Sequence, residues 1–180
     1  YTSTDASGNV GTATRTVKVI DTVGPTITIL GDNPTTHEFG AAYTDAGATA
    51  ADASGAVTVV TTGYVNVDLL GSYTITYTST DSDGNTSAAT RTVNVVDTTK
   101  PVVTVTGDNP TTVELGGTYT EAGATATDLS GAVTVVTTGT VDSDTVGAYT
   151  ITYTSTDASG NAGTATRTVN VVDTTKPVVT

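Results

Sequence analysis

The sequence contains no cysteine, methionine or tryptophan, and only one phenylalanine and one histidine. Without cysteine there is no disulfide framework and no thiolate metal site, and the redox compartment stays open. Bases are scarce as well: six Lys and Arg stand against 18 Asp and Glu, a net charge of −12. Nucleic acid and an anionic membrane surface would both repel such a chain, so neither is expected as a partner. Apolar runs are a few residues long, far below the ~20 that a helix needs to span a bilayer. Direct membrane insertion is therefore not expected. Helical periodicity, heptads and Ala/Leu/Glu-rich windows are missing too.

What the chain has is repetition. Pro25, Pro101 and Pro177 are spaced 76 residues apart, as are Tyr1, Tyr77 and Tyr153. Residues 25–100 align with 101–176 without a gap, sharing "GDNPTT", "GAVTVVTTG" and "YTITYTSTD". A fixed period marks each copy as one structural unit stacked in an array. The expected organisation is a closing hairpin of one repeat at 1–24, full copies at 25–100 and 101–176, and the first strand of another at 177–180. Such a chain reads as a piece cut from a longer array. The other reading is a subunit whose neighbours complete its end domains by strand donation, head to tail, in a filament.

Within a copy the apolar period is two. "AYTITYTST" puts Tyr149, Ile151 and Tyr153 on one face and Thr150, Thr152 and Thr154 on the other; "TRTVNVVD" puts Val169 and Val171 inward. Alternating β-branched and aromatic residues bounded by Gly, Asn, Asp and Ser read as half-buried strands between turns. In the second copy strands are expected near 102–106, 112–115, 122–128, 132–138, 147–157 and 164–173, with a short extra one near 140–143. Six or seven short strands in 76 residues predict a sandwich of two antiparallel sheets, hence an all-β chain.

Three runs carry a more specific likeness: "YTEAGATATD" from Tyr119, "GAYTITYTSTDASGN" from Gly147 and "RTVNVVDTTKP" from Arg167. The chain resembles tandem bacterial immunoglobulin-like repeats of large surface and secreted proteins, which also occur as an appended domain of pesticidal crystal toxins. It is similar to the HYR and cadherin-like modules of extracellular stalks. The resemblance covers the whole chain and implies tandem immunoglobulin-like β-sandwiches at the cell surface or outside the cell. The expected role is a stalk, spacer, fibre or adhesin segment, with neighbouring repeats or identical subunits as partners, and an enzyme is the poorest reading because positioned catalytic groups are missing.

In such a sandwich the last strand ends at the pole opposite its last hairpin loop. Asp97, which closes one copy, is therefore expected beside the loops of the next that carry Asp128, Asp157 and Asn161. At the earlier junction the matching set is Asp21, Asp52, Asp81, Asp83 and Asn85. Hard oxygen ligands converging between domains suit Ca²⁺, which takes six to eight oxygens at ~2.3–2.6 Å. The same residues also suit plain hairpin turns, with Gly8, Gly84 and Gly160 at positive φ and Asp5, Asp81 and Asp157 bonding the turn backbone. "DSDGN" at 81–85 resembles the start of a calcium loop but lacks the distal Glu of an EF-hand.

Other candidates read as structural. His37 aligns with Val113 of the other copy, a half-buried strand slot. Asp142 and Asp144 align with Asn66 and Asp68, so no carboxylate pair recurs. Tyr64, aligned with Thr140, is the one tyrosine suited to an exposed sugar-stacking role in a glycan-binding module. Arg15, Arg91 and Arg167 are expected to cover strand edges and pair with nearby carboxylates, worth ~1 kcal/mol or less if exposed. Glu38 and Glu114, and Asp45 with Glu121, are expected as solvated or paired surface charges. Only "TTK" separates Asp97 from Pro101, a short link expected to limit the swing between copies.

Overall fold

The computed structural model describes residues 1–179. Fourteen strands follow in order: β1 (Thr2–Thr4), β2 (Val10–Thr12), β3 (Thr26–Ile29), β4 (Thr35–Glu38), β5 (Ala48–Ala51), β6 (Val59–Thr62) and β7 (Gly71–Thr80), then β8 (Thr86–Val96), β9 (Val102–Val105), β10 (Thr111–Glu114), β11 (Ala124–Thr127), β12 (Val135–Thr138), β13 (Gly147–Thr156) and β14 (Ala162–Val172). No helix long and apolar enough to cross a membrane occurs among the described residues. Backbone contacts group the chain into two compact units: 1–35 with 44–65 and 74–92, and 36–43 with 66–73 and 93–180.

The second unit contains the second copy entire. One sheet has the order β10-β14-β13-β12, and the other is the pair β11-β9. β13 and β14 form the longest ladder, antiparallel from Gly147 opposite Val171 to Thr156 opposite Ala162. Alternation sends one row of each strand inward: Ile151, Tyr153 and Ser155 on β13, and Arg167, Val169 and Val171 on β14 are all buried. Ile151, Tyr153 and Val169 form the centre, with Val103, Val105, Val113, Tyr119, Ala124, Val135, Val141 and Tyr149 packed around them. Burying an Ile or Val side chain contributes roughly 1.5–3 kcal/mol, so this small cluster is the main apolar source of stability. Gly139 is obligatory at its edge: its φ is +100°, and an added Cβ would lie 2.5 Å from the Thr150 carbonyl oxygen.

Three differences from the sequence expectation stand out. The sheets are not antiparallel throughout, because β10 runs parallel to β14, with Thr111 opposite Val169 and Glu114 opposite Val172. Asn109 sets that edge: its side-chain amide donates to the Thr166 carbonyl at 2.7 Å, and its Oδ1 accepts from the Thr168 N–H at 3.0 Å. The extra strand expected near 140–143 is a turn. There Asp142 Oδ1 accepts from the Asp144 N–H at 3.0 Å, and Oδ2 accepts from the Thr145 hydroxyl at 2.9 Å. Residues 177–179 of the expected 177–180 strand are not in a strand, and Thr180 lies outside the described residues.

The first unit holds the hairpin β1-β2, the pair β3-β5 and the ladder β6-β7. The strand order of the first copy is β4-β8-β7-β6, the same as in the second. Arg91 lies in this unit and is only 2% exposed, so it sits inside rather than over a strand edge, while pairing with a carboxylate as expected. Its Nε donates to the Tyr77 hydroxyl at 2.9 Å and lies 3.0 Å from Asp45, while its guanidinium also bonds the Leu30, Asp32 and Gly47 carbonyls. In the second unit Arg167, also 2% exposed, bonds Tyr153 and the Thr106, Asp108 and Gly123 carbonyls, with Glu121 at 3.4 Å. Asp45 and Glu121 are thus half-buried counter-ions rather than solvated charges. Burial pushes the Tyr153 hydroxyl up, and the Glu121 bond adds to it. Arg15 is exposed.

Candidate metal centre

The hairpin turns organise the acids. In the β13–β14 turn Asp157 Oδ1 accepts from the Asn161 N–H at 2.8 Å, and Gly160 takes a φ of +91° to close it. Asp81 does the same in the β7–β8 turn, accepting from the N–H groups of Asp83 at 2.9 Å and Asn85 at 2.8 Å; Gly84 there also has a φ of +91°. Asp5 accepts from Ser7 and Asn9, with Gly8 at +85°. The turn chemistry expected from "DASGN" is therefore present in all three hairpins.

Turn bonding uses only part of each carboxylate, and this leaves oxygens to converge. Asp128, just after β11, accepts the Ser130 N–H on Oδ1 at 2.8 Å. Asp97, just after β8, accepts the Thr99 N–H on Oδ1 at 3.1 Å. The Oδ2 atoms of Asp97 and Asp128 are buried with no hydrogen-bond partner. One carboxylate oxygen each from Asp97, Asp128 and Asp157 lie within 4.8 Å of one another. Asp97 is 9% exposed and Asp157 8%. Asn161 ties the group together: its amide donates to the Asp97 carbonyl at 3.1 Å and to Asp157 Oδ2 at 2.8 Å.

In the first unit Asp21, Asp52 and Asp81 form the matching triad within the same 4.8 Å. Asp21 Oδ1 accepts from the Val23 N–H at 2.9 Å, and Asp52 Oδ1 from the Ser54 N–H at 2.8 Å. Asn85 donates to the Asp21 carbonyl at 3.2 Å and to Asp81 Oδ2 at 2.8 Å. Asp83 stays out of the triad and is exposed, its N–H serving the turn. Asn85 and Asn161, also expected as ligands, donate through their side-chain nitrogens and so fix the aspartates.

Three carboxylates at this spacing repel one another. A like pair 4 Å apart costs ~1 kcal/mol at the dielectric of water and ~4 kcal/mol near a protein surface. Asn85 is the first cause of a lowered Asp81 carboxyl. For Asp157, burial pushes the carboxyl up, but the Asn161 side chain and turn N–H groups outweigh it, and the carboxyl stays below its ordinary value. Hydrogen bonds thus favour the charged form of Asp81 and of Asp157. Charged, convergent and partly unpartnered oxygens suit a hard divalent cation, with water completing the shell. Calcium tolerates irregular geometry, whereas magnesium demands a near-ideal octahedron.

Of the remaining candidates, His37, Glu38 and Glu114 are engaged in structural contacts, and Tyr64 is exposed. His37 Nε2 lies 3.0 Å from the Ala41 carbonyl oxygen, and its ring meets Tyr43 edge-on at 5.1 Å. Tyr64 is 75% exposed. Glu38 and Glu114 do not dangle in solvent either. Glu38 binds Thr98 and Thr99, and Glu114 binds Thr174 and Thr175. Sequence reasoning missed this role, although the recurrence of Glu 60 residues before "TT" was its signal.

The family described as "Bacterial surface protein, Ig-like domain" matches twice, at residues 27–95 and 103–171. Among curated relatives, Hyalin of Strongylocentrotus purpuratus is 40% identical over 153 residues, covering 76% of this chain and 13% of that protein. Hyalin of Lytechinus variegatus is 39% identical over 128 residues, covering 66% and 24%. The chain spans a quarter or less of these relatives' length. Among solved structures, the lipoprotein BT2262 from Bacteroides thetaiotaomicron aligns with a TM-score of 0.35 and 32% identity, over 43% of this chain and 40% of that one. The protocadherin gammaB7 EC3-6 cis-dimer aligns with a TM-score of 0.36 and 15% identity, over 81% and 47%.

Proposed function

The chain belongs to the family of bacterial surface Ig-like domains, and from that premise we propose that it is a spacer. It is a repeat segment of a long extracellular or cell-surface protein, holding another part of that protein at a distance and stiffened by Ca²⁺ where copies join. One observation carries this reading. The triad Asp21, Asp52 and Asp81 recurs 76 residues later as Asp97, Asp128 and Asp157, so the joint repeats with the same period as the fold. A spacer needs length and a reproducible joint more than distinct sites, and similar copies that align without a gap supply both. The work is mechanical, with no catalytic step in it.

The test is to insert a further copy of residues 101–176 and measure particle length by negative-stain electron microscopy, in Ca²⁺ and in EDTA. A spacer lengthens by a constant increment per copy and bends more in EDTA. No added length would refute the reading. Indefinite polymers would favour a filament built by strand complementation, and glycan binding lost in Tyr64→Ala would favour a sugar-binding module.

A further inference from the structure

We propose that Glu38 is a positioning residue for the Asp97 site: it grips the linker after Asp97, so that holding the linker and holding a cation become one coupled event. This rests on reading Asp97, Asp128 and Asp157 as a cation site.

The grip is unusually complete. The Glu38 carboxylate accepts the Thr98 N–H at 3.0 Å, the Thr98 hydroxyl at 2.6 Å, the Thr99 N–H at 3.1 Å and the Thr99 hydroxyl at 2.7 Å. The Thr99 N–H is shared, donating also to Asp97 Oδ1 at 3.1 Å. Glu38 therefore fixes Thr99, and Thr99 fixes the Asp97 carboxylate with Oδ1 turned to the linker. The other oxygen, Oδ2, is the one left buried and unpartnered. Glu38 is not itself among the acids whose oxygens converge within 4.8 Å. It acts on the site through the linker.

The second copy separates grip from triad. Glu114 accepts the Thr174 N–H at 2.8 Å, the Thr174 hydroxyl at 2.7 Å, the Thr175 N–H at 3.0 Å and the Thr175 hydroxyl at 2.9 Å. The Thr175 N–H donates to Asp173 Oδ1 at 3.1 Å, just as Thr99 does to Asp97. Yet Asp173 belongs to no acidic triad among the described residues. The grip thus orients the aspartate without help from the triad, as a pre-organising outer contact does. Losing such a contact typically weakens a metal site about ten-fold or more.

The experiment is calorimetric titration of Ca²⁺ into the 180-residue chain. Parallel titrations use Asp97→Asn, Glu38→Gln, Glu114→Gln and the double variant Thr98→Val/Thr99→Val. Wild type is expected to bind two ions, and Asp97→Asn one. Glu38→Gln should weaken one of the two sites about ten-fold, and Glu114→Gln neither. The threonine variant keeps every charge and removes two hydroxyl bonds; it should weaken the same site. If wild type binds no Ca²⁺, the cation reading falls and this inference with it. If wild type binds and Glu38→Gln binds equally well, the positioning role alone is overturned. Weakening by Glu38→Gln without weakening by the threonine variant would mean a charge effect, and would overturn it too.

Discussion

The Asn161 side-chain amide donates to the Asp97 carbonyl at 3.1 Å while holding Asp157 Oδ2 at 2.8 Å. One amide thus joins the end of β8 to the β13–β14 turn. Asn85 joins Asp21 to Asp81 in the same way.

Asn161→Ala removes both bonds and leaves a part-buried carbonyl and carboxylate oxygen short of a donor. The expected loss is about 1–3 kcal/mol, the usual cost of leaving such groups unsatisfied. Urea denaturation of the full chain in EDTA measures it. An unchanged midpoint would show that the amide contributes nothing without metal.

Arg167→Met tests the buried network. The substitution strands the Thr106, Asp108 and Gly123 carbonyls and leaves half-buried Glu121 without its guanidinium. Breaking a buried pair from one side costs on the order of 3–5 kcal/mol. The same denaturation experiment should show the second copy unfolding at much lower urea.

Gly163→Ser tests a pairing that differs between the copies. A Cβ on Gly163 would meet the Pro101 carbonyl oxygen at 1.9 Å, whereas the aligned Ser87 faces Gly24, whose own added Cβ would lie 2.8 Å from Ser87 Oγ. Where strand β8 carries a side chain, the linker carries glycine; where the linker carries Lys100, β14 carries glycine. The substitution is expected to cost about 1–3 kcal/mol through overpacking, read as a lowered thermal midpoint.

Glu38 has an acid signature. The Thr98 side chain first, then that of Thr99, lowers its carboxyl from 4.5 to about 2. A depressed folded-state value means that the grip adds stability above pH 4.5 and loses it as pH falls towards 2. Carbon-detected NMR of the Glu38 carboxyl should give a midpoint near the lower figure. A midpoint near 4.5 would mean that the grip does not persist in solution.

Much of this was legible in the residues. Period-two alternation in "YTITYTST" located β7 and β13, and the expected immunoglobulin-like strand arrangement put Asp97 beside Asp128 and Asp157. The same alternation that sends Val169 and Val171 inward also sends Arg167 inward. A charged residue on a core row needs partners that only the folded chain supplies: a tyrosine, a counter-ion and backbone carbonyls. The parallel β10–β14 pair was hidden because four residues such as "TTVE" carry no directional signal. The Glu38 grip was hidden for a related reason. Its partners lie 60 residues away and nothing local marks the carboxylate as bonded.

The most direct test of the account is a thermal melt of the full chain in EDTA and in millimolar Ca²⁺, with Asp97→Asn alongside. A ligand at a hundred times its dissociation constant stabilises by about 2.7 kcal/mol, which raises the midpoint by several degrees in a protein of this size. The account predicts that rise in wild type and a smaller one in the variant. Superimposable melts with and without Ca²⁺ would contradict it.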